Sequence, residues 1–160
     1  MDNVVGVNWL SPEELRAWRA FVASYGRLIG ELDRELIQDH SLPLAEYQVL
    51  DHLAESPKGR LRMHELAELC GLSPSGLTRR FDNMVRAGLV DRNKCDDDRR
   101  GVWAVLTEAG RQRFLEASPE HLEAVRRHFI APIDADQLEL LTSICERIAT
   151  QQRTRVSISV

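Results

Sequence analysis

A mainly α-helical fold carrying one small β-hairpin is predicted for this chain of 160 residues, on three features. Residues 72–88 read as a capped amphipathic helix entered from a glycine-containing turn. Two short β-rich runs with a charged loop between them follow it directly. Apolar stripes at helical spacing lie toward both ends of the chain. The expected architecture is a winged helix-turn-helix module flanked by N- and C-terminal dimerisation helices.

The central helix sets the pattern. Ser73 is an N-cap, Pro74 suits the first helical position, and Arg86 and Gly88 suit the end. Leu77, Phe81, Met84 and Val85 share one side. Ser75, Arg79, Asp82 and Arg86 share the other, so hydroxyls and guanidinium groups face away from the anchored side. Those are the groups that contact phosphates and base edges.

The first helix is predicted from Ser11, with Glu14 completing a capping box and Pro12 at the first position. Leu15, Trp18, Val22, Tyr25, Ile29, Leu32 and Leu36 recur at spacings of three and four, and Ala17, Phe21 and Leu28 widen the stripe. A stripe this long needs apolar surface from elsewhere, and a dimer contact is expected. Residues 11–40 are therefore assigned to dimerisation. Leu42-Pro43 breaks the pattern, and a second helix is expected over 44–53. Arg60-Leu61-Arg62 reads as an edge strand, and a helix over 63–70 should turn Leu66, Leu69 and Cys70 inward.

The DNA-facing module spans 41–106, with its recognition helix at 73–87 and its wing at 89–106. Leu89–Arg92 and Val102–Leu106 are the wing strands, joined by a loop whose Arg99 and Arg100 are expected to reach a minor groove or phosphates. A helix from Thr107 toward His128 and a last helix capped by Asp134 and Gln137 fill 107–152 and complete the dimerisation region. On the last helix Leu138, Leu141, Cys145 and Ile148 form another apolar stripe.

Composition excludes several classes. No apolar run approaches the roughly 20 residues that cross a bilayer, and residues 1–6 lack a secretory signal's features, so the cytoplasm is expected. Cys70, Cys95 and Cys145 form neither a disulfide framework nor a zinc motif. No catalytic motif or phosphate loop stands out, so neither enzyme activity, metal nor cofactor is expected. The net charge of −4 is unevenly spread. Residues 58–100 hold ten Lys/Arg against seven Asp/Glu, a net +3, which leaves −7 for the remainder. A basic module on an acidic scaffold suits a nucleic-acid partner.

Two motifs carry a family resemblance. One is Leu66-Ala67, Gly71-Leu72-Ser73, Leu77-Thr78-Arg79 and Gly88-Leu89-Val90 with Arg92. The other is Asp98-Arg99-Arg100-Gly101-Val102, leading to Val105-Leu106-Thr107 and Gly110. In order and spacing they resemble the MarR family of winged helix-turn-helix regulators across roughly residues 12–150. The resemblance implies a homodimer with interlocked terminal helices that binds pseudo-palindromic double-stranded DNA. It further implies repression of nearby genes, with release by a small-molecule effector in many members. Carried over, Ser73, Ser75, Gly76, Thr78, Arg79 and Arg80 enter the major groove, Arg100 enters the minor groove, and Arg99 lies near phosphate. The family's ligand crevice implies Trp18, Tyr25 and Arg92 as lining residues. Arg62 and Pro43 stand where many relatives have capping threonines, and a phosphate contact is the alternative use for Arg62.

Several residues have more than one use open. Arg79 is expected to read a base, against an ion pair with Asp82. Arg80 reaches phosphate or forms an internal ion pair, and Thr78 contacts DNA or bonds its own helix. Asp98 is expected to orient a wing arginine. Cys95 is the cysteine expected to be exposed, with Cys70 and Cys145 in the core. A thiol sensor at Cys95 is an alternative, although oxidant-sensing relatives carry their cysteine near the start of the first helix. A winged-helix protein–protein adaptor is the alternative from another class.

Overall fold

The computed structural model describes residues 8–94 and 101–157, with side chains to Gln151. Its helices are α1 (Pro12–His40), α2 (Leu44–Glu55), α3 (Met63–Leu69), α4 (Pro74–Arg86), α5 (Glu108–Val125) and α6 (Ala135–Ser157). Three strands, β1 (Arg60–Arg62), β2 (Val90–Lys94) and β3 (Val102–Leu106), form an antiparallel sheet in the order β1-β3-β2. This is the mainly α fold with a small β wing. The chain divides between Pro119 and Glu120 into two compact units. Among the described residues, no helix is long and apolar enough to cross a membrane.

In the first unit, α1 opens with the expected capping box. The Glu14 N–H donates to Ser11 Oγ at 3.2 Å, and the Ser11 N–H donates to Glu14 Oε2 at 2.7 Å. The stripe of α1 then divides. Leu32 and Leu36 are buried, whereas Trp18 and Tyr25 are 57% and 59% exposed on the single chain. The C-terminal end of α1 therefore packs in its own unit against α2. Pro43 gives α2 no side-chain cap; Asp33 of α1 replaces it, accepting the Leu44 N–H at 2.8 Å.

The core gathers Leu44, Leu50 and Leu53 of α2, Leu66 of α3, and Leu77, Phe81 and Met84 of α4. Phe81 is completely buried, and such a ring contributes roughly 3–5 kcal/mol against truncation to alanine. Leu69 is a correction: it is the last residue of α3 and is 50% exposed, while Leu66 and Ala67 of the same turn take the buried side. Cys70 is half-buried.

α4 ends in a backbone conformation that favours glycine. Gly88 has φ +72°, its N–H bonds the Val85 carbonyl at 2.9 Å, and the Leu89 N–H bonds the Met84 carbonyl at 3.0 Å. Gly110 of α5 has a different reason. A Cβ there would stand 2.0 Å from the Leu89 carbonyl oxygen and 2.9 Å from Leu106 Cδ1. Thr107 ties the same corner, its hydroxyl 2.7 Å from the Gly88 carbonyl and accepting the Gly110 N–H at 3.0 Å. The turn after α4, the end of β3 and the start of α5 are thus one packed corner.

In the second unit, the helix expected to reach His128 stops at Val125, and Arg126–Ile130 continues as a π-helical turn. α6 has its capping box, with the Gln137 N–H donating to Asp134 Oδ1 at 2.9 Å and the Asp134 N–H to Gln137 Oε1 at 3.0 Å. The helix continues through residues 153–157, a stretch with no clear sequence signal. Leu138 and Leu141 are half-buried, but Ile148 is 48% exposed and Cys145 is exposed. The core assignment of Cys145 is therefore corrected for the single chain. Amphipathic spacing marks a face; it does not say what covers it.

Candidate nucleic-acid interface

α4 presents the two faces its sequence predicts. Ser73 Oγ accepts the Gly76 N–H at 3.1 Å, so the capping residue also fixes the first turn. Ser73, Ser75, Thr78 and Arg79 are exposed, Gly76 is half-buried, and Leu77 lies beneath them at 1% exposure. Ser73 and Ser75 stand with their hydroxyls 3.3 Å apart. Thr78 donates its hydroxyl proton to the Pro74 carbonyl at 2.8 Å, which leaves its oxygen to accept from outside. Arg79 has no hydrogen bond or ion pair among the described residues, and its outward direction is set by the buried Leu77 and Phe81 to either side.

Arg80 turns the other way. Its Nε is buried without a hydrogen-bond partner. Its charge bears on two groups beneath α4. Burial pushes the Glu46 carboxyl up, and Arg80 opposes that shift. Burial pushes the Cys70 thiol up to about 11, again with Arg80 opposing. Arg80 therefore sits on the side of α4 that faces the core.

Arg92 joins the wing to the helix. On β2, Val90, Arg92 and Lys94 alternate with Asp91 and Asn93, and Arg92 pairs with the buried Ala104 of β3. It lies on the inner face of the sheet, over α4. There its guanidinium pairs with Asp82, donates to the Thr78 carbonyl at 3.3 Å and lies 5.2 Å from the Phe81 ring centroid. Asp82, which shares the outer side of α4 with Arg79, is thus paired from the wing.

The outer face of the sheet carries Arg60, Arg62 and Trp103, by the same alternation. Arg60 and Arg62 hold their guanidinium carbons 4.6 and 4.3 Å from the Trp103 ring centroid. The Arg62 backbone N–H also donates to Glu65 Oε2 at 2.9 Å, the half of a capping box in which the third helical residue reaches back to the cap. A cleft of about 440 Å³ lies between α3, α4 and the wing base, lined by Arg62, Met63, His64, Thr78, Arg92, Gly101 and Val102. Sequence reasoning misses the Trp103 stack. Its only signal is the register of two short strands, which puts residue 62 opposite residue 103.

The residues expected to line a ligand crevice fall into two groups. Trp18 and Tyr25 stand in an exposed aromatic row with Phe21, each ring centroid 6.3 Å from that of Phe21. Arg92 belongs to the α4–β2 cluster instead. The wing-tip residues Cys95, Asp96, Asp97, Asp98, Arg99 and Arg100 lie outside the described residues.

Comparison with known proteins agrees with this arrangement. Residues 40–101 match the MarR family model. The homoprotocatechuate degradative operon repressor of Escherichia coli is 31% identical over 123 residues, covering 76% of this chain and 80% of that protein. Among solved structures, AbsC, a MarR family transcriptional regulator from Streptomyces coelicolor, superposes with a TM-score of 0.86 at 36% identity, covering 92% of this chain and 99% of its own. Sco3205 from the same organism, a family member solved in complex with DNA, gives 0.85 at 34% identity, with 89% and 90% covered. With the helix-turn-helix, the three-stranded sheet and these relatives in agreement, the chain belongs to the MarR family of transcriptional regulators.

Proposed function

We propose that this protein is a sequence-specific DNA-binding repressor that acts as a homodimer in the cytoplasm, by binding and not by catalysis. The observation that carries the reading is the outward face of α4. A capped helix offers Ser73, Ser75, Thr78 and Arg79 to solvent while Leu77, Phe81 and Met84 hold it to the core. In this reading Arg79 takes a base edge, and Ser73, Ser75, Gly76 and Thr78 fix the helix against phosphates. Arg100 reaches the minor groove and Arg99 the adjacent backbone. Arg80, with its Nε buried, supports the helix from beneath.

The dimer rests on apolar side chains that the single chain leaves exposed: Trp18, Phe21 and Val22 on α1, and Leu140, Ile144 and Ile148 on α6. Two copies related by a two-fold axis place their α4 helices about one DNA turn, roughly 34 Å, apart. The family resemblance carries release by a small-molecule effector, for which Trp18 and Tyr25 are the aromatic lining. The DNA complex of Sco3205 and the repressor role of the Escherichia coli relative support the reading.

Fluorescence anisotropy with a random genomic duplex and with the palindromes flanking the gene tests it. Binding that tightens on the palindrome and weakens steeply with salt is expected. No binding to either duplex at low ionic strength contradicts it.

A further inference from the structure

The outer side of α4 carries a second arginine, which the reading above leaves without a role. Arg86 follows Arg79 by two helical turns, so the two share one side of the helix about 10 Å apart. At about 100° per residue it also stands diametrically across the helix from the buried Leu77. Arg86 is accordingly exposed.

The surroundings of Arg86 hold its guanidinium without neutralising it. Nε donates to the Asp82 carbonyl at 3.3 Å, and Nη2 donates to Asn83 Oδ1. Both acceptors are uncharged and both belong to α4. A guanidinium has more N–H donors than these two bonds use, so others remain for an outside acceptor. Among the described residues no carboxylate pairs with Arg86. Asp82, the one acid of α4, pairs with Arg92 of the wing instead. The outer side of the recognition helix therefore presents two uncompensated cations, Arg79 and Arg86. A cation in the last turn also complements the helix dipole. Here the side chain turns back along the helix, so its charge lies over residues 82 and 83 and not over the last unpaired carbonyls.

The position of Arg86 says which anion it meets. Recognition helices set their N-terminal residues against base edges. The major groove is about 12 Å wide. A side chain about 10 Å further along the same face stands beyond the bases, at the sugar–phosphate wall. We propose that Arg86 contacts the DNA phosphate backbone at the edge of the major groove, with Asn83 and the Asp82 carbonyl holding its guanidinium in place. The inference rests on the DNA-binding reading above, in which Arg79 takes a base edge. The contact adds affinity without sequence preference, because phosphates carry no base identity. Asn83 is a positioning residue: it limits the rotamers of a long side chain before DNA arrives, so less is lost on binding.

The experiment measures binding of full-length Arg86→Gln and Arg86→Lys proteins to the palindrome flanking the gene and to a random genomic duplex, over a range of salt. In a homodimer Arg86→Gln removes one phosphate contact from each copy. The slope of log K against log salt should fall by about 2, and affinity for both duplexes should fall by a similar factor. Arg86→Lys keeps the charge, so its slope should stay near the wild-type value. Circular dichroism and gel filtration confirm that each variant folds and assembles as the wild type does. An Arg86→Gln slope equal to wild type overturns the proposal. A loss confined to the palindrome does so too, because it makes Arg86 a base contact. An equal fall in slope for Arg86→Lys also overturns it, because the charge is then not what matters. If the wild type itself shows no salt-dependent binding, the DNA-binding reading fails first, and the two failures are distinguishable.

Discussion

Arg92 at the foot of the wing holds Asp82 on the recognition helix, ten residues earlier in the chain. The same guanidinium caps the Thr78 carbonyl and stacks toward Phe81, so one side chain sets the angle between helix and hairpin. Asp82 is thereby kept from Arg79, its neighbour on the outer side of α4. Arg79, the proposed base contact, has no partner among the described residues, and the wing supplies the partner for the acid.

A double-mutant cycle on Arg92→Ala and Asp82→Ala tests this link. The side chains are 33% and 47% exposed, so solvent screens the pair and a coupling of about 0.5–1 kcal/mol is expected in urea unfolding. Arg92→Ala should cost somewhat more than Asp82→Ala, because it also loses the carbonyl and ring contacts. Zero coupling would mean that the pair does not hold the wing to the helix in solution.

Arg79→Ala separates binding from folding. Its exposed side chain has no described partner, so the unfolding free energy should change by less than about 0.5 kcal/mol. Operator affinity should fall by about 1–3 kcal/mol, roughly 5- to 150-fold, with a smaller loss on random DNA. Equal losses on both duplexes would make Arg79 a phosphate contact.

Glycine substitutions rank the corner after α4. Gly110→Ala drives a Cβ to within 2.0 Å of the Leu89 carbonyl oxygen, between backbone segments that cannot both move. It should destabilise by about 3 kcal/mol or prevent folding. Gly88→Ala meets nothing within 4 Å and carries only the strain of φ +72°, about 1–2 kcal/mol. Denaturant midpoints in the reverse order would show that the corner is loose.

Thiol reactivity tests the burial of Cys70. Desolvation penalises the thiolate, so its pKa rises to about 11 and the reactive form is scarce at pH 8. Two units above an ordinary thiol means a thiolate fraction, and an alkylation rate, lower by roughly a hundredfold. Timed alkylation followed by mass spectrometry should label the exposed Cys145 well before Cys70 in monomeric protein. Equal rates would mean that α3 opens readily at its C-terminal end.

Local signals are legible in the sequence, and signals that depend on a partner are not. Both capping boxes, at Ser11–Glu14 and Asp134–Gln137, form as their residues predict, because a cap is settled within four residues. The glycine ending α4 and the strand Val102–Leu106 are local in the same sense. Spacing alone turns Leu69 and Cys145 inward, and the single chain leaves them exposed. The Asp33 cap on α2, the Arg92–Asp82 pair and the Trp103 stack join residues distant in sequence, and only the register of the fold reveals them. At the site, the outward residues of α4 follow from helical spacing, while Arg80 resolves toward the core only with Glu46 and Cys70 seen beneath it.

The central claim is that two copies of α4 read two half-sites together. Selection of bound duplexes from a random pool, followed by sequencing, measures this whatever the operator sequence turns out to be. The expected result is an inverted repeat whose half-site centres lie about 10 base pairs apart, one DNA turn. Enrichment of an unrepeated site, or of no sequence at all, would contradict it.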